Sequence, residues 1–141
     1  MSAIVCVFNR GGAPVNEDEV QLLLERLDHH GPDGRGVQTG GPLGIGFQHF
    51  WTTPEEVSVI QPIHDRANDI LFAFEGRIDN RDELMGELRR GSNDNTISDV
   101  HLAINAYKKW GEAAFSRIVG PFVFVVADTS RQKITIARDA L

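Results

Sequence analysis

Residues Ala3 to Phe8, AIVCVF, are apolar at every position. An unbroken β-rich run of this length predicts a strand buried on both faces. NRGGAPV follows as a turn cluster. Asn16 then stands where a helix N-cap belongs, ahead of NEDEVQLLLERLDHH, with Glu17, Asp18 and Glu19 in the first turn. HGPDGRG reads as loop, and GGPLGIGFQHF as a turn followed by a strand. VSVIQPIHD predicts a short strand ending near Pro62, and DILFAFEGRI a strong strand. NRDELMGELRR predicts a short helix after Asn80, and GSNDNTIS a loop whose Ser98 caps the next helix. In SDVHLAINAYKKWG, Val100, Ala103, Ile104 and Tyr107 recur at helical spacing on one face, and Gly111 stops the helix. PFVFVVAD and KITIARDAL form a hairpin-like pair around TSRQ.

Strands and helices therefore come in groups and do not strictly alternate. That grouping favours an α+β fold with a largely antiparallel sheet. No internal repeat, low-complexity segment or linker interrupts the pattern. The final residues, TIARDAL, still read as a strand and its exit. Domain boundaries usually fall in polar linkers, so the expectation is a piece of a longer protein.

Composition narrows the class. At 141 residues and 41% hydrophobic, the chain can bury one core and form one domain. The net charge of −6 and pI of about 5.3, with no basic run, argue against nucleic acid or an anionic membrane as partner. A single cysteine, Cys6, excludes an internal disulfide framework and fits a reducing compartment. His29, His30, His49, His64 and His101 show no metal-ligand pattern with Cys6. No apolar stretch approaches the roughly 20 residues of a membrane span, and no basic segment precedes a long apolar one as in a signal peptide. A soluble, cytoplasmic domain without a metal is expected.

Single motifs carry little chemistry. GPDGRGVQTGG lacks the spacing and lysine of a phosphate loop and reads as plain loop. Ser2, His30 and Asp33 have the residue types of a hydrolytic triad, but sequence alone does not bring them together. Cys6 lies inside the apolar run and reads as a small core residue with a raised pKa.

The order of the pieces is more specific. MSAIVCVF resembles the M-C-G-I opening of class II glutamine amidotransferases, which are N-terminal-nucleophile hydrolases. HHGPDGRG resembles their H-R-G-P-D-G-x-G, and GIGFQHF their x-x-G-H-x-R-L. QPI followed by FEGRIDNRDEL resembles Q-P followed by N-G-E-I-Y-N-x-x-E-L. SDVHLAINAYKKWG is similar to S-D-x-E-V-I-L-x-x-Y-x-x-W-G of the asparagine synthetase branch, and RIVGPFVFVVAD with ITIARDAL completes the series. The resemblance covers residues 1 to 141 as one domain. It implies a four-layer αββα sandwich with two mainly antiparallel sheets. It also implies an ATP-dependent synthetase domain downstream, to which ATP and Mg would belong, and an assembly that can be a homodimer. No cofactor is implied for this domain itself.

In an active member of that family, an N-terminal cysteine attacks the glutamine amide with its own α-amino group as base. The resemblance puts Ser2 at that nucleophile, where a hydroxyl needs stronger activation than a thiol. Ala3 stands where glycine is usual. Glu75 stands at the oxyanion-hole asparagine, and a carboxylate has no donor for a developing negative charge. Gly76 is kept for its N–H. Arg77 replaces a glutamate that faces the substrate ammonium, reversing the sign. His49 replaces the arginine that clamps the substrate carboxylate, and neutral imidazole lacks its bidentate fork. Among the substrate-binding positions Asp99 alone keeps type and place, either for an ammonium or as the cap of the helix that begins there. Glu75 and Arg77, two apart on an extended segment, are expected on one face, forming with His49 a charge-compensated cluster in the old pocket. The expectation is a degenerate glutaminase-like domain of a ligase, similar to β-lactam synthetase or lasso-peptide cyclases. The alternatives are a glutaminase using Ser2 and a stand-alone structural or binding module.

Overall fold

The computed structural model describes residues 1–88 and 97–140. Most of the loop expected at GSNDNTIS, the end of the helix at Arg89 and Arg90, and Leu141 lie outside the described residues. The elements are β1 (Ala3–Phe8), α1 (Glu17–Glu25), β2 (Gly34–Gly40), β3 (Leu43–His49), α2 (Pro54–Val57), β4 (Ile63–Asp65), β5 (Ile70–Gly76), α3 (Arg81–Leu88), α4 (Asp99–Trp110), β6 (Phe122–Asp128) and β7 (Lys133–Arg138). They build a three-stranded sheet in the order β1-β3-β2 and a four-stranded sheet in the order β4-β5-β6-β7. The α+β grouping read from the sequence is the observed one. The chain divides into two compact units, Met1–Ala73 with Val125–Ile136, and Phe74–Phe124 with Ala137–Leu141.

In the first unit β3 is central, antiparallel to both neighbours, and buried at all seven positions. Its alternating glycines prepare a seat for α1. A Cβ on Gly44 would lie 2.8 Å from Val15 Cγ1, and one on Gly46 2.7 Å from Val20 Cγ1 and 2.9 Å from Leu24 Cδ1. Val20 and Leu24 are the fully buried residues of α1. Burying a side chain of that size is worth about 1.5–3 kcal/mol. Asn16 caps α1 as expected, its Oδ1 accepting the Asp18 N–H at 2.9 Å. The helix stops at Glu25, and Asp28–His30 form a separate 3-10 turn.

Four local expectations are corrected here. β1 is only partly buried, because it is an edge strand with one sheet neighbour rather than two. Cys6 is accordingly half-buried, yet burial still pushes its thiol up to about 11. The stretch read as a glycine loop contains β2, which pairs along its whole length with β3. Low strand propensity yields there to non-local pairing. A Cβ on Gly36 would come within 2.1 Å of Gln61 O, so the glycine suits the strand to the segment crossing it. Finally, the strand expected to end near Pro62 begins after it, at Ile63. Proline has no N–H for the ladder. Residues 54–57 upstream form α2 instead, with Pro54 in its first turn and the Glu56 carboxylate accepting the Thr52 and Thr53 N–H groups at 2.8 and 3.2 Å.

In the second unit α4 presents Val100, Leu102, Ala103, Ile104 and Ala106 as its buried residues. Ser98 is its N-cap, accepting the His101 N–H, and Gly111 ends it at φ +61°. Tyr107 is partly buried and reaches an aromatic cluster in which Phe124 meets Phe74 and Phe115 edge-on at 5.6 and 5.5 Å.

Gly46→Ala is expected to destabilise the domain by about 1–3 kcal/mol through overpacking under α1. Urea unfolding measures it, and an unchanged midpoint would show that α1 is not seated on β3. Cys6 is expected to label at least roughly tenfold more slowly in the native than in the denatured chain at pH 8, since its thiolate is scarce. Equal rates would contradict the burial effect.

Candidate active site

The first unit holds two of the candidate residues. Ser2 precedes β1, and its Oγ accepts the Phe50 N–H at 3.0 Å just beyond the end of β3. The register Ala3↔Gln48 brings the two segments side by side. His49, the last residue of β3, is 3% exposed. Its Nε2 accepts the Gln61 N–H at 3.2 Å, and its ring lies 4.7 Å from the Phe47 ring and 5.6 Å from that of Trp51. Burial holds the His49 pKa below the ordinary histidine value, while Asp33 and Glu56 pull it upward. The result is a neutral imidazole whose Nε2 lone pair is used by the backbone. Asp33 is tied down too: its Oδ2 accepts the Trp51 N–H at 2.9 Å and its own N–H donates to His49 O. The ring of His30 lies 4.0 Å from that of His29. The triad types Ser2, His30 and Asp33 therefore have other partners in the fold.

The second unit holds Glu75, Gly76, Arg77 and Asp99. β5 ends at Gly76, which has φ +132°. A Cβ there would meet Pro121 O at 2.2 Å and Phe122 Cα at 2.6 Å, so only glycine fits. Gly120, at φ +136°, makes the matching approach to Arg77 O. Between them the Arg77 N–H donates to Pro121 O at 2.9 Å and the Asp79 N–H to Val119 O at 2.7 Å. Gly76 is the last strand residue before Arg77, and Arg77 turns to a partner of its own. Arg77 is exposed and pairs with Asp79, Nε to Oδ1 at 2.6 Å and Nη2 to Oδ2 at 3.4 Å. Each holds the other charged: Asp79 raises the Arg77 pKa, and Arg77 lowers that of Asp79.

Asp99 is not the helix cap, a role Ser98 takes. Its Oδ2 accepts the Ile78 N–H at 3.0 Å, and its Oδ1 is paired with Arg81 Nη1. Asp99 is thus held against the segment that follows Gly76. Arg81, Asn80 and Gln61 escaped that reading. Asn80 donates from Nδ2 to Arg117 O and accepts the Val119 N–H. Only the motif letters around Asn80 and Gln61 hinted at a special role. Among the described residues no group of three His, Cys, Asp or Glu side chains is placed to hold a metal, and no helix is long and apolar enough to cross a membrane.

The family model for the glutamine amidotransferase domain matches residues 1–141. The chain belongs to this family. It is 32% identical over 126 residues to the amidase chyE of Penicillium rubens, a match covering 86% of this chain and 18% of that protein. It is 29% identical over 143 residues to asparagine synthetase [glutamine-hydrolyzing] 1 of Bacillus subtilis, covering 99% of this chain and 22% of the relative. The chain therefore spans about a fifth of the length of these curated relatives. Its fold matches that of glutamine phosphoribosylpyrophosphate amidotransferase from Bacillus subtilis, solved with ADP and GMP, with a TM-score of 0.72 at 17% identity over 99% of this chain and 37% of that one. It is a class II glutamine amidotransferase domain, with the N-terminal-nucleophile hydrolase fold, related to the N-terminal domains of asparagine synthetases.

The depressed His49 pKa has a pH consequence. Burial lowers its folded value below the unfolded one, so its contribution is complete above about pH 6.5 and is lost as pH falls through the folded value. His101, lowered by burial and by Lys108, acts in the same sense. Stability by urea unfolding is expected to fall between pH 7.5 and 5.5, and to fall less in His49→Gln, whose acceptor does not titrate. An equal fall in both proteins would remove His49 as its source.

Proposed function

We propose that this domain does not hydrolyse glutamine and serves as the N-terminal part of an asparagine-synthetase-related, ATP-dependent amide-forming ligase in the cytoplasm. The carrying observation is at position 2. The residue there has a hydroxyl rather than a thiol, and its Oγ accepts the Phe50 N–H at 3.0 Å. A hydroxyl is a weak nucleophile unless activated, and here its oxygen is used as a hydrogen-bond acceptor by the backbone of Phe50. Three further residues support the reading by type. Glu75 has no donor for an oxyanion, where losing one donor costs about 10²–10³ in rate. Arg77 opposes a substrate ammonium. His49 is neutral and turned to Gln61, so it offers a carboxylate neither charge nor fork.

In this reading the chemistry belongs to a synthetase domain in the same protein, with its own ATP and Mg, which activates a carboxylate as an acyl-adenylate. An amine that is part of the substrate, as in β-lactam synthetase or lasso-peptide cyclases, would replace ammonia from glutamine. The second reading, glutamine hydrolysis by Ser2, is favoured by the retained Gly76 and Asp99 and by relatives named as glutamine-hydrolysing asparagine synthetases.

One assay separates the two. Incubated with glutamine, the purified chain is expected to release no ammonia above a heat-killed control, and Ser2→Cys alone is expected to stay inactive. Combining Ser2→Cys with His49→Arg, Glu75→Asn and Arg77→Glu is expected to give detectable release, because nucleophile and oxyanion hole act as a unit. Wild-type turnover that disappears in Ser2→Ala would establish the second reading instead.

A further inference from the structure

Arg81 stands at the first residue of α3, where the helix dipole disfavours a cation. Local preference therefore does not account for it, and its partners are tertiary. Nη1 pairs with Asp99 Oδ1, and Nη2 donates to Ile97 O at 2.5 Å. A single guanidinium thus bridges a carboxylate and a carbonyl at the start of α4. Both side chains are mostly covered, 31% exposed for Arg81 and 21% for Asp99. The other carboxylate oxygen takes the Ile78 N–H at 3.0 Å. Asp99 therefore already has one full positive charge and a donor on each oxygen.

We infer that Arg81 is a built-in cation that closes Asp99 to an external ammonium, and is thereby a specificity-determining residue that excludes α-amino acids. The inference deepens the proposed function and rests on the family resemblance that puts Asp99 at an ammonium-binding position. An alkylammonium reaching Asp99 must displace two guanidinium hydrogen bonds. It must also leave the Arg81 charge partly covered and without its counter-ion, which is the costly outcome for a buried pair. Arg81 acts through Asp99 and touches no substrate. A purely structural clamp would predict loss of stability when Arg81 is removed, and nothing else. A cation plug predicts in addition that the vacated carboxylate binds a small cation.

The test uses the whole 141-residue chain. The Ile78 amide, bonded to Asp99, is followed by NMR while methylammonium chloride is added against sodium chloride of equal ionic strength. The wild type is expected to show no saturable shift. Arg81→Met, similar in length but uncharged, is expected to show one, with half-saturation at least roughly tenfold lower than any wild-type response, as befits a charge-assisted contact. Arg81→Met with Asp99→Asn is expected to lose it. A folded Arg81→Met with no saturable shift overturns the inference, as does a shift that survives Asp99→Asn. If Arg81→Met does not fold in buffer, methylguanidinium is expected to restore its thermal transition, and failure to do so overturns the inference equally. Ammonia release by the wild type would sink the functional reading, whereas an unresponsive Arg81→Met with no ammonia release would sink only the role given to Arg81.

Discussion

The pairing of β3 with both of its neighbours is the constraint on which the amino-terminal unit depends. A strand with ladders on each side and no exposed residue sets a high cost on any polar group left without a partner. Gly44 and Gly46 remove the side chains from one face and let Val20 and Leu24 of α1 come down on the backbone. The other face carries Ile45, Phe47 and finally His49. The end of the strand then sets the candidate site, because the β1 register delivers Ser2 to Phe50 and the last residue of β3, His49, meets the Gln61 amide. A one-residue slip of β1 or β3 would reverse every side chain and dismantle both contacts.

The second unit relies on an equivalent device made of two glycines. Gly76 and Gly120 have positive φ, and each lies where any Cβ would strike the opposing backbone. Their approach fixes the course of Arg77, Ile78 and Asp79 through hydrogen bonds to Pro121 and Val119 and from Ile78 to Asp99. With the backbone so held, the charged side chains find partners within the protein. Arg77 turns to Asp79 and Arg81 to Asp99. Exposed pairs of the first kind contribute little to stability. The second pair is more covered, 31% and 21% exposed, and ties the start of α3 to the start of α4.

A common thread links the two units. Ser2, His49, Arg77 and Asp99 are each hydrogen-bonded to other groups of the protein. Such partners matter most for the covered groups among them, since a buried polar group without a partner costs about 1–3 kcal/mol.

Much of this was written in the one-dimensional pattern. α1 and α4 followed from helical spacing and from Asn16 and Ser98 as caps, and β3, β5, β6 and β7 from apolar runs between turn residues, because these signals act over a few residues. The family followed from the order of short motifs along residues 1 to 141, and so did the identity of every residue at a candidate site position. Tertiary structure alone decided the rest. β1 became an edge strand and Cys6 only half-buried because the number of sheet neighbours is a non-local property. β2 emerged from a glycine-rich stretch because β3 lay beside it. Arg77 met Asp79 because the backbone beyond Gly76 is fixed by contacts with Pro121 and Val119. Arg81 met Asp99 because two helix starts, 18 residues apart in the chain, converge in the fold. Residue types reveal which charges a site holds, but which of them pair is set by backbone paths that distant contacts determine.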